Sequence, residues 1–217
     1  MSKDSLCEQA YNYILELITD FELKPNDPII ENDIGQKLNI SRTPLREALR
    51  RLEADGLVYK VRNRGTYVRS FSYEDVTESC EIRKLFELYS LKQCIEKASD
   101  EELKELHEKL IALSSDSSAE SFYESDIILH KTIMKYCMNS KMVAFLNTIN
   151  TQLETFRRIS GRMPNRLLKS KQEHLDILNA IEKRDIALAT EKLSLHLDNV
   201  KESTWQAFKE FKMNYMD

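Results

Sequence analysis

SRTPLREALRRLEADGLV, residues 41–58, is the stretch whose periodicity decides the fold. Leu45, Ala48, Leu49 and Leu52 recur at i, i+3, i+4 and i+7, an apolar stripe along one side of a helix. Arg42, Arg46 and Arg50 recur every four residues on another side, with Thr43 beside them. Ser41 is suited to the N-cap, Pro44 falls in the first turn, where a helix tolerates it, and Gly56 stops the helix. The segment is therefore a short, bounded helix with a core side and a guanidinium side. A helix of this size fits the DNA major groove, and guanidinium matches both phosphate oxygens and the O6/N7 edge of guanine. Three arginines alone fit a solvated surface face equally well, so the flanking segments decide.

Upstream, Leu6 to Leu23 carries apolar residues at Leu6, Ala10, Tyr13, Ile14, Leu17, Ile18 and Phe21, the pattern of an amphipathic helix. Lys24-Pro25-Asn26-Asp27-Pro28 forces a turn. Glu31 to Asn39 reads as a shorter helix with Ile34 and Leu38 facing inward, joined to the arginine helix through Asn39-Ile40. Two short helices in tight succession, the second with a basic face, make a helix-turn-helix. Downstream, Leu57–Val61 and Thr66–Arg69 read as strands joined by Arg62-Asn63-Arg64-Gly65. A basic-tipped hairpin after a helix-turn-helix is a wing.

This order of elements, with Leu-Lys-Pro-x-Asp at residues 23–27, Ser-Arg-Thr-Pro-Leu-Arg-Glu-Ala-Leu at 41–49 and Asn-Arg-Gly at 63–65, resembles the N-terminal domain of the bacterial GntR family of transcription regulators over residues 5–70. The resemblance implies a DNA-contacting set of Ser41, Arg42, Thr43, Arg46 and Arg50, with Arg62, Asn63, Arg64 and Gly65 at the wing tip. Asn32 stands where many members of that family carry an arginine that touches a base, a departure that bears on the operator sequence.

Charge supports this division. The formal net charge is −4, yet Arg42 to Arg69 holds eight bases against three acids, so this segment is +5 and the remainder sums to −9. A basic patch on an acidic body suits a protein that touches phosphate on one side only. Four Gly, four Pro and 31% charged residues predict long helices with few loops. No apolar run reaches the ~20 residues a membrane-spanning helix requires, and the polar-interrupted start is unlike a secretory signal. Cys7, Cys80, Cys94 and Cys137 are scattered without a CxxC pair, as expected of buried thiols in a reducing cytoplasmic compartment; a DNA reader would associate there with the nucleoid.

From Ser70 onward the pattern is helical. The expected segments are Ser72 to Ala98 (with Val76, Cys80, Arg83, Leu85, Leu88, Leu91 and Ile95), one opened by the capping box Ser99-x-x-Glu102, then Phe122–Tyr136, Val143–Phe156, Leu167–Lys183 and Ile186 to about Met213. The fold class is mainly α: a winged helix-turn-helix with a two-stranded wing over residues 1–70, and an antiparallel all-α bundle over residues 71–217. Within the bundle, Asp126 and His130 share one helix face, and His174 and His196 each lie on the apolar stripe of another helix. One inward histidine is ordinarily a satisfied core residue. Three with a carboxylate are costly to bury unless something ligates them, and a divalent metal ion (zinc, nickel, iron or manganese) would. Spacing leaves open whether the four meet. His107 is expected at the surface.

Residues 75–205 resemble the FCD effector domain of FadR-like GntR regulators, through Glu81-Ile82-Arg83-x-x-Phe86-Glu87, Asp126-x-x-x-His130, Glu173-His174-x-x-Ile177-x-x-Ala180-Ile181 and Ala187-x-x-x-x-x-Leu193-x-x-His196-Leu197. The resemblance implies that Asp126, His130, His174 and His196 hold the metal. Tyr89, Leu91 and Lys92 replace the usual small residues after Glu87 and alter the expected pocket shape. Open coordination positions would accept a small carboxylate effector, with Arg83 as its charge partner or, alternatively, as a salt bridge to Glu87; Arg157 and Arg158 are further candidates. The implied protein is a ligand-responsive regulator, a repressor that binds a near-palindromic double-stranded operator as a homodimer, and not an enzyme. The rival is a helical metal-dependent hydrolase with an appended winged domain, but no His is followed directly by Asp as in helical phosphohydrolases.

Overall fold

The computed structural model of the chain describes residues 3–215, with side chains from Ser5 to Glu210. The chain divides into two compact units, one ending at Ser72 and the other beginning at Tyr73. The first unit comprises α1 (Lys3–Thr19), β1 (Pro28–Ile29), α2 (Glu31–Leu38), α3 (Arg42–Ala54), β2 (Val58–Val61) and β3 (Gly65–Val68). α3 buries Leu45, Ala48, Leu49 and Leu52 as its periodicity requires, with Pro44 beside them. They pack in one cluster with Ala10, Tyr11, Ile14 and Ile18 of α1, Ile34 of α2, and Leu57, Val58 and Val68. Each such leucine contributes about 1.5–3 kcal/mol by leaving water, so this stripe fixes which side of α3 faces outward.

The ends of α3 follow from local chemistry. Gly56 adopts φ 72°, its N–H donates to Glu53 O at 3.0 Å, and Leu57 N–H donates to Leu52 O at 2.9 Å. This pair of bonds is a Schellman stop, which needs the left-handed residue that glycine supplies. Ser41 occupies the N-cap position, but its hydroxyl makes no capping hydrogen bond. The α2–α3 turn is closed by Asn39 at φ 52° and by Ile40 N–H donating to Gly35 O at 3.0 Å.

Three details differ from the sequence reading. α1 ends at Thr19 instead of continuing to Leu23, because Phe21 turns left-handed at φ 57° and Leu23 N–H folds back to Leu17 O at 2.9 Å. Its buried face also holds Cys7 and Tyr11, while Leu6, Tyr13 and Leu17 lie at the border. The expected wing hairpin gains a third strand, in the order β1-β3-β2, with Pro28 opposite Tyr67 and Ile29 opposite Thr66. Proline is acceptable there because β1 is an edge, and two residues are too few to show alternation in a sequence.

The second unit contains α4 (Tyr73–Lys97), α5 (Asp100–Ala112), α6 (Ala119–Lys135), α7 (Ser140–Gly161), α8 (Arg166–Glu182) and α9 (Ile186–Tyr215). Leu91, Leu103, Leu110, Leu129, Ile133, Ile177, Leu178 and Leu193 form the centre of its apolar core. Ser99 caps α5 by accepting from Glu102 N–H at 3.2 Å, but the Glu102 carboxylate does not return to complete a capping box. It accepts instead from Lys135 Nζ at 2.8 Å and from the Tyr136 hydroxyl. On α4 the inward positions are Val76, Cys80, Arg83, Glu87, Ser90, Leu91, Cys94 and Ile95. Leu85, expected on the apolar stripe, is 64% exposed. α4 thus interrupts a mostly apolar inward face with the ionisable pair Arg83 and Glu87, and turns Leu85 outward.

Candidate functional site

The first unit presents the basic face intact. Ser41, Arg42, Thr43, Arg46 and Arg50 of α3 are all exposed, as are Arg62, Asn63, Arg64 and Gly65 at the hairpin tip. The tip turn is set by Arg64 N–H donating to Val61 O at 3.0 Å, with Asn63 at φ 60° and Gly65 at φ 106°. Two side chains at the start of α2 reach the arginines: Glu31 Oε2 accepts from Arg46 Nε at 2.9 Å, and Asn32 Oδ1 accepts from Arg42 Nη2 at 3.4 Å. Sequence reasoning missed the Glu31 contact, since it spans 15 residues. Arg46, Arg50, Glu53, Lys60 and Thr66 line a concave surface between α3 and the hairpin. Arg51 faces elsewhere, paired with Glu8 at 2.7 Å and stacked over Tyr11.

In the second unit Asp126, His130, His174 and His196 come together. They arrive from three helices and are all buried, and one ligand-type atom of each lies within 4.8 Å of the others. His196 Nε2 is 3.2 Å from both His130 Nε2 and His174 Nε2. Asp126 Oδ1 is 3.2 Å from His174 Nε2 and 3.7 Å from His130 Nε2. Metal–ligand bonds of about 2.0–2.1 Å place neighbouring ligand atoms about 2.9 Å apart at right angles and about 3.4 Å apart at the tetrahedral angle, so the three 3.2 Å spacings fall in the range of a coordination shell and the 3.7 Å spacing lies just outside it.

The far side of two imidazoles fixes what the near side offers. His130 Nδ1 lies 2.5 Å from Glu87 Oε2, and His196 Nδ1 lies 2.7 Å from Glu173 Oε2. Burial opposes the charge on Glu87, but the Arg83 guanidinium and His130 outweigh it and bring its pKa down to about 2. An ionised carboxylate only accepts, so His130 Nδ1 carries a proton, and the neutral tautomer of that ring presents Nε2 as a lone pair. His196 Nδ1 faces the Glu173 carboxylate in the same geometry. With both rings in these neutral tautomers, two lone pairs face each other at 3.2 Å with a carboxylate oxygen close by. A cation among them converts this mutual repulsion into ligation.

Electrostatics agrees. Burial opposes ionisation of Asp126, yet Arg157 and then His130 and His174 outweigh it and hold its pKa well below the usual range. Burial lowers the pKa of His174, and that of His196 falls further because His174 and His130 add to the burial effect. Neutral imidazole is the form that ligates a metal. Arg157 Nη1 lies 3.0 Å from Asp126 Oδ2, close enough for charge attraction. Neither atom is aligned for a hydrogen bond, and with Arg157 Nε and Arg83 Nη2 they lack a hydrogen-bond partner among the described residues. Arg83 Nε donates to Glu87 Oε1 at 2.6 Å. Arg83, Glu87, His130, Arg157, Asn147 and Asn150 border a cavity of about 90 Å³ beside the cluster, space for several waters or a few heavy atoms.

Other candidates lie apart. Arg158 makes a two-pronged pair with Glu120 at 2.8 and 2.9 Å and stacks over Tyr123. His107, expected at the surface, is half-buried with Nδ1 2.8 Å from Glu182. Arg166 was not foreseen; it reaches Glu173 Oε2 at 3.0 Å and Ser203 Oγ at 3.2 Å. Burial pushes the Cys80 and Cys94 thiols up to about 11 and about 12, so neither is a reactive thiolate.

Comparison with known proteins agrees with both halves. Residues 6–68 match the gntR family of bacterial regulatory proteins, and residues 78–199 match the FCD domain. The chain is a GntR-family regulator with an FCD domain. Among its relatives, the transcriptional repressor RspR of Escherichia coli is 25% identical over 210 residues, covering 94% of this chain and 90% of that one. The regulator LutR of Bacillus subtilis is 26% identical over 216 residues, covering 89% of this chain and 99% of that one. McbR/YncC of E. coli shares the fold with a TM-score of 0.72 at 19% identity, over 94% of this chain and 98% of that one. The Zn2+-bound FCD domain of the regulator TM0439 superposes with a TM-score of 0.57 at 26% identity, over 64% of this chain and 97% of that one. The GntR–FCD chain described here is thus a DNA-binding transcription regulator and not an enzyme. Its winged unit carries the exposed basic face, and its FCD unit carries an Asp/His group able to hold a metal ion.

Proposed function

We propose that this regulator is a repressor. Residues 1–70 bind double-stranded DNA, and residues 71–217 form the metal-binding, effector-binding and dimerisation domain. Ser41, Arg42, Thr43, Arg46 and Arg50 enter the major groove, and Arg62 to Gly65 touch the adjacent backbone or minor groove. A homodimer places two such faces on a near-palindromic operator. The relative RspR is named a repressor, which supports the same sense here.

A second copy of the chain is the natural cover for the outer face of α4. Leu85 and Tyr89 are exposed there, and Phe86 packs edge-to-face on the half-exposed Phe145 of α7. Two copies of α4 laid antiparallel would join these apolar faces; exposed Lys92 beyond them already lies 4.0 Å from Glu96.

Asp126, His130, His174 and His196 hold a divalent metal ion, with zinc, nickel, iron and manganese all compatible with the donor set. The observation that carries this reading is the pair of imidazole Nε2 atoms 3.2 Å apart, each ring backed by a glutamate at its Nδ1. The zinc-bound FCD domain of TM0439 supports it. The metal supplies fixed positive charge with open positions. Without it, Arg83, Arg157 and Arg166 balance Glu87, Asp126 and Glu173, so a divalent ion leaves the site at +2. That excess favours a small carboxylate effector, seated on Arg157 and the spare Nη2 of Arg83. The protein acts in the cytoplasm at the nucleoid; no described helix is long and apolar enough to cross a membrane.

The test uses purified full-length protein. Elemental analysis should find about one divalent ion per chain, and selection from random duplex DNA should return an inverted repeat. Failure to take up zinc, nickel, iron(II) or manganese overturns the metal assignment. Equal affinity for random and selected duplexes overturns sequence-specific recognition.

A further inference from the structure

We infer that Glu87 and Glu173 are positioning residues for the metal ligands: each fixes one histidine with Nε2 unprotonated and aimed at the centre, while an arginine holds the glutamate in place. This rests on the metal reading above and adds a role for residues outside the ligand set. The same arrangement occurs twice, built from different helices. In the first, Arg83 Nε of α4 donates to Glu87 Oε1 at 2.6 Å, and His130 Nδ1 of α6 donates to Glu87 Oε2 at 2.5 Å. In the second, Arg166 Nη2 of α8 donates to Glu173 Oε2 at 3.0 Å, and His196 Nδ1 of α9 donates to the same oxygen at 2.7 Å. Asn199 Nδ2 occupies Glu173 Oε1 at 2.9 Å, so that carboxylate cannot swing away freely.

The chemistry requires such a partner. A neutral imidazole carries one proton on either nitrogen, and only the bare nitrogen ligates. A carboxylate behind Nδ1 selects the ligating tautomer, orients the ring and increases the basicity of Nε2. Glu87 also makes α4 part of the centre although α4 supplies no ligand. The ligands come from α6, α8 and α9, and the Glu87–His130 bond ties α4 to them. Because the outer face of α4 carries Leu85 and Tyr89, occupancy of the centre has a direct mechanical route to that surface.

Two measurements on the full chain test the assignment. In metal-free protein, long-range 1H–15N spectra of the imidazoles should show His130 and His196 protonated at Nδ1, and Glu173→Gln should shift His196 while leaving His130 as it was. In chelator competition with Zn2+, Glu173→Gln and the paired change Arg83→Met/Glu87→Gln should each weaken binding about 10–100-fold with the helical circular dichroism retained. The paired change removes both buried charges together, so no lone guanidinium remains. Protonation of His130 or His196 at Nε2 in the wild type overturns the inference, as does wild-type Zn2+ affinity in both folded variants. If a variant fails to fold, the wild-type spectra still decide. If the wild type binds no Zn2+, Ni2+ or Mn2+, the metal reading falls while the tautomer assignment stands or falls on the spectra alone.

Discussion

Removing the metal should lower the melting temperature of the FCD unit by an amount that the site geometry sets. The four ligand atoms sit on three helices, at sequence positions up to 70 residues apart, and converge within 4.8 Å only when the bundle is folded. An unfolded chain offers no such constellation, so a metal held as proposed binds the native state alone and would stabilise it by RT ln(1 + [L]/Kd). With free metal at a hundred times Kd this is about 2.7 kcal/mol. For a unit of about 150 residues each kcal/mol moves the midpoint by about 2–4 °C, so the expected shift is about 5–11 °C. The assay is circular dichroism at 222 nm on EDTA-stripped protein, before and after reloading with Zn2+, Ni2+ or Mn2+. His174→Ala removes one ligand, and its metal-dependent shift should shrink by at least half. An equal shift in wild type and His174→Ala would place the stabilising ion elsewhere. No shift in the wild type with any of the three metals would refute the reasoning from converging lone pairs.

Arg46→Ala should weaken binding to the selected operator by about 1–3 kcal/mol if that side chain reads a base, with unchanged gel-shift titrations removing it from the interface. Glu31→Gln frees Arg46 from its 2.9 Å partner; affinity for random duplex should rise as an acid leaves the interface, and a fall would show that Glu31 instead braces Arg46 for binding. Arg62→Ala and Arg64→Ala should each reduce the slope of log K against log salt by about 1, uniformly across DNA sequences; a base-dependent loss would mean that the tip reads sequence. If the protein dimerises as proposed, Leu85→Asp with Tyr89→Asp should shift it toward monomer in sedimentation while helicity is kept, and an unchanged mass would exclude the outer face of α4 as the contact.

The winged unit was legible because its signals are local. The stripe Leu45, Ala48, Leu49, Leu52 fixes the orientation of α3 and turns the face of Arg42, Arg46 and Arg50 outward. Gly56 marks the stop by a backbone requirement that few other residues meet. What escaped notice was non-local. β1 is visible only through its pairing with β3, nearly forty residues downstream. Leu85 was grouped with Arg83 in the helical pattern of α4, yet Arg83 is buried beside Glu87 and Ser90 while Leu85 is 64% exposed. Residue type alone misleads there, because burying charge is favourable only once its partners are known.

The metal site divides along the same line. Each of Asp126, His130, His174 and His196 was individually legible as inward from the 3.6-residue period. Their meeting was not, since a period fixes a direction about one helix axis and says nothing about the distance between axes. The carboxylates behind the imidazoles were harder still. Glu87 lies 43 residues from His130, and Glu173 lies 23 from His196. Glu173 adjoins the ligand His174 in sequence yet serves a histidine on another helix, because on a helix neighbours at i and i+1 point about 100° apart. For Glu173 the available signal was an acid beside an inward histidine, a rule that requires its partner to be sought on the adjacent helix and not on its own; Glu87 adjoins no histidine and escapes it. Applied to this chain, that rule finds Glu173 from the Glu173-His174 pair and directs the search to α9, where His196 and Asn199 lie within one turn of each other and both bond to it.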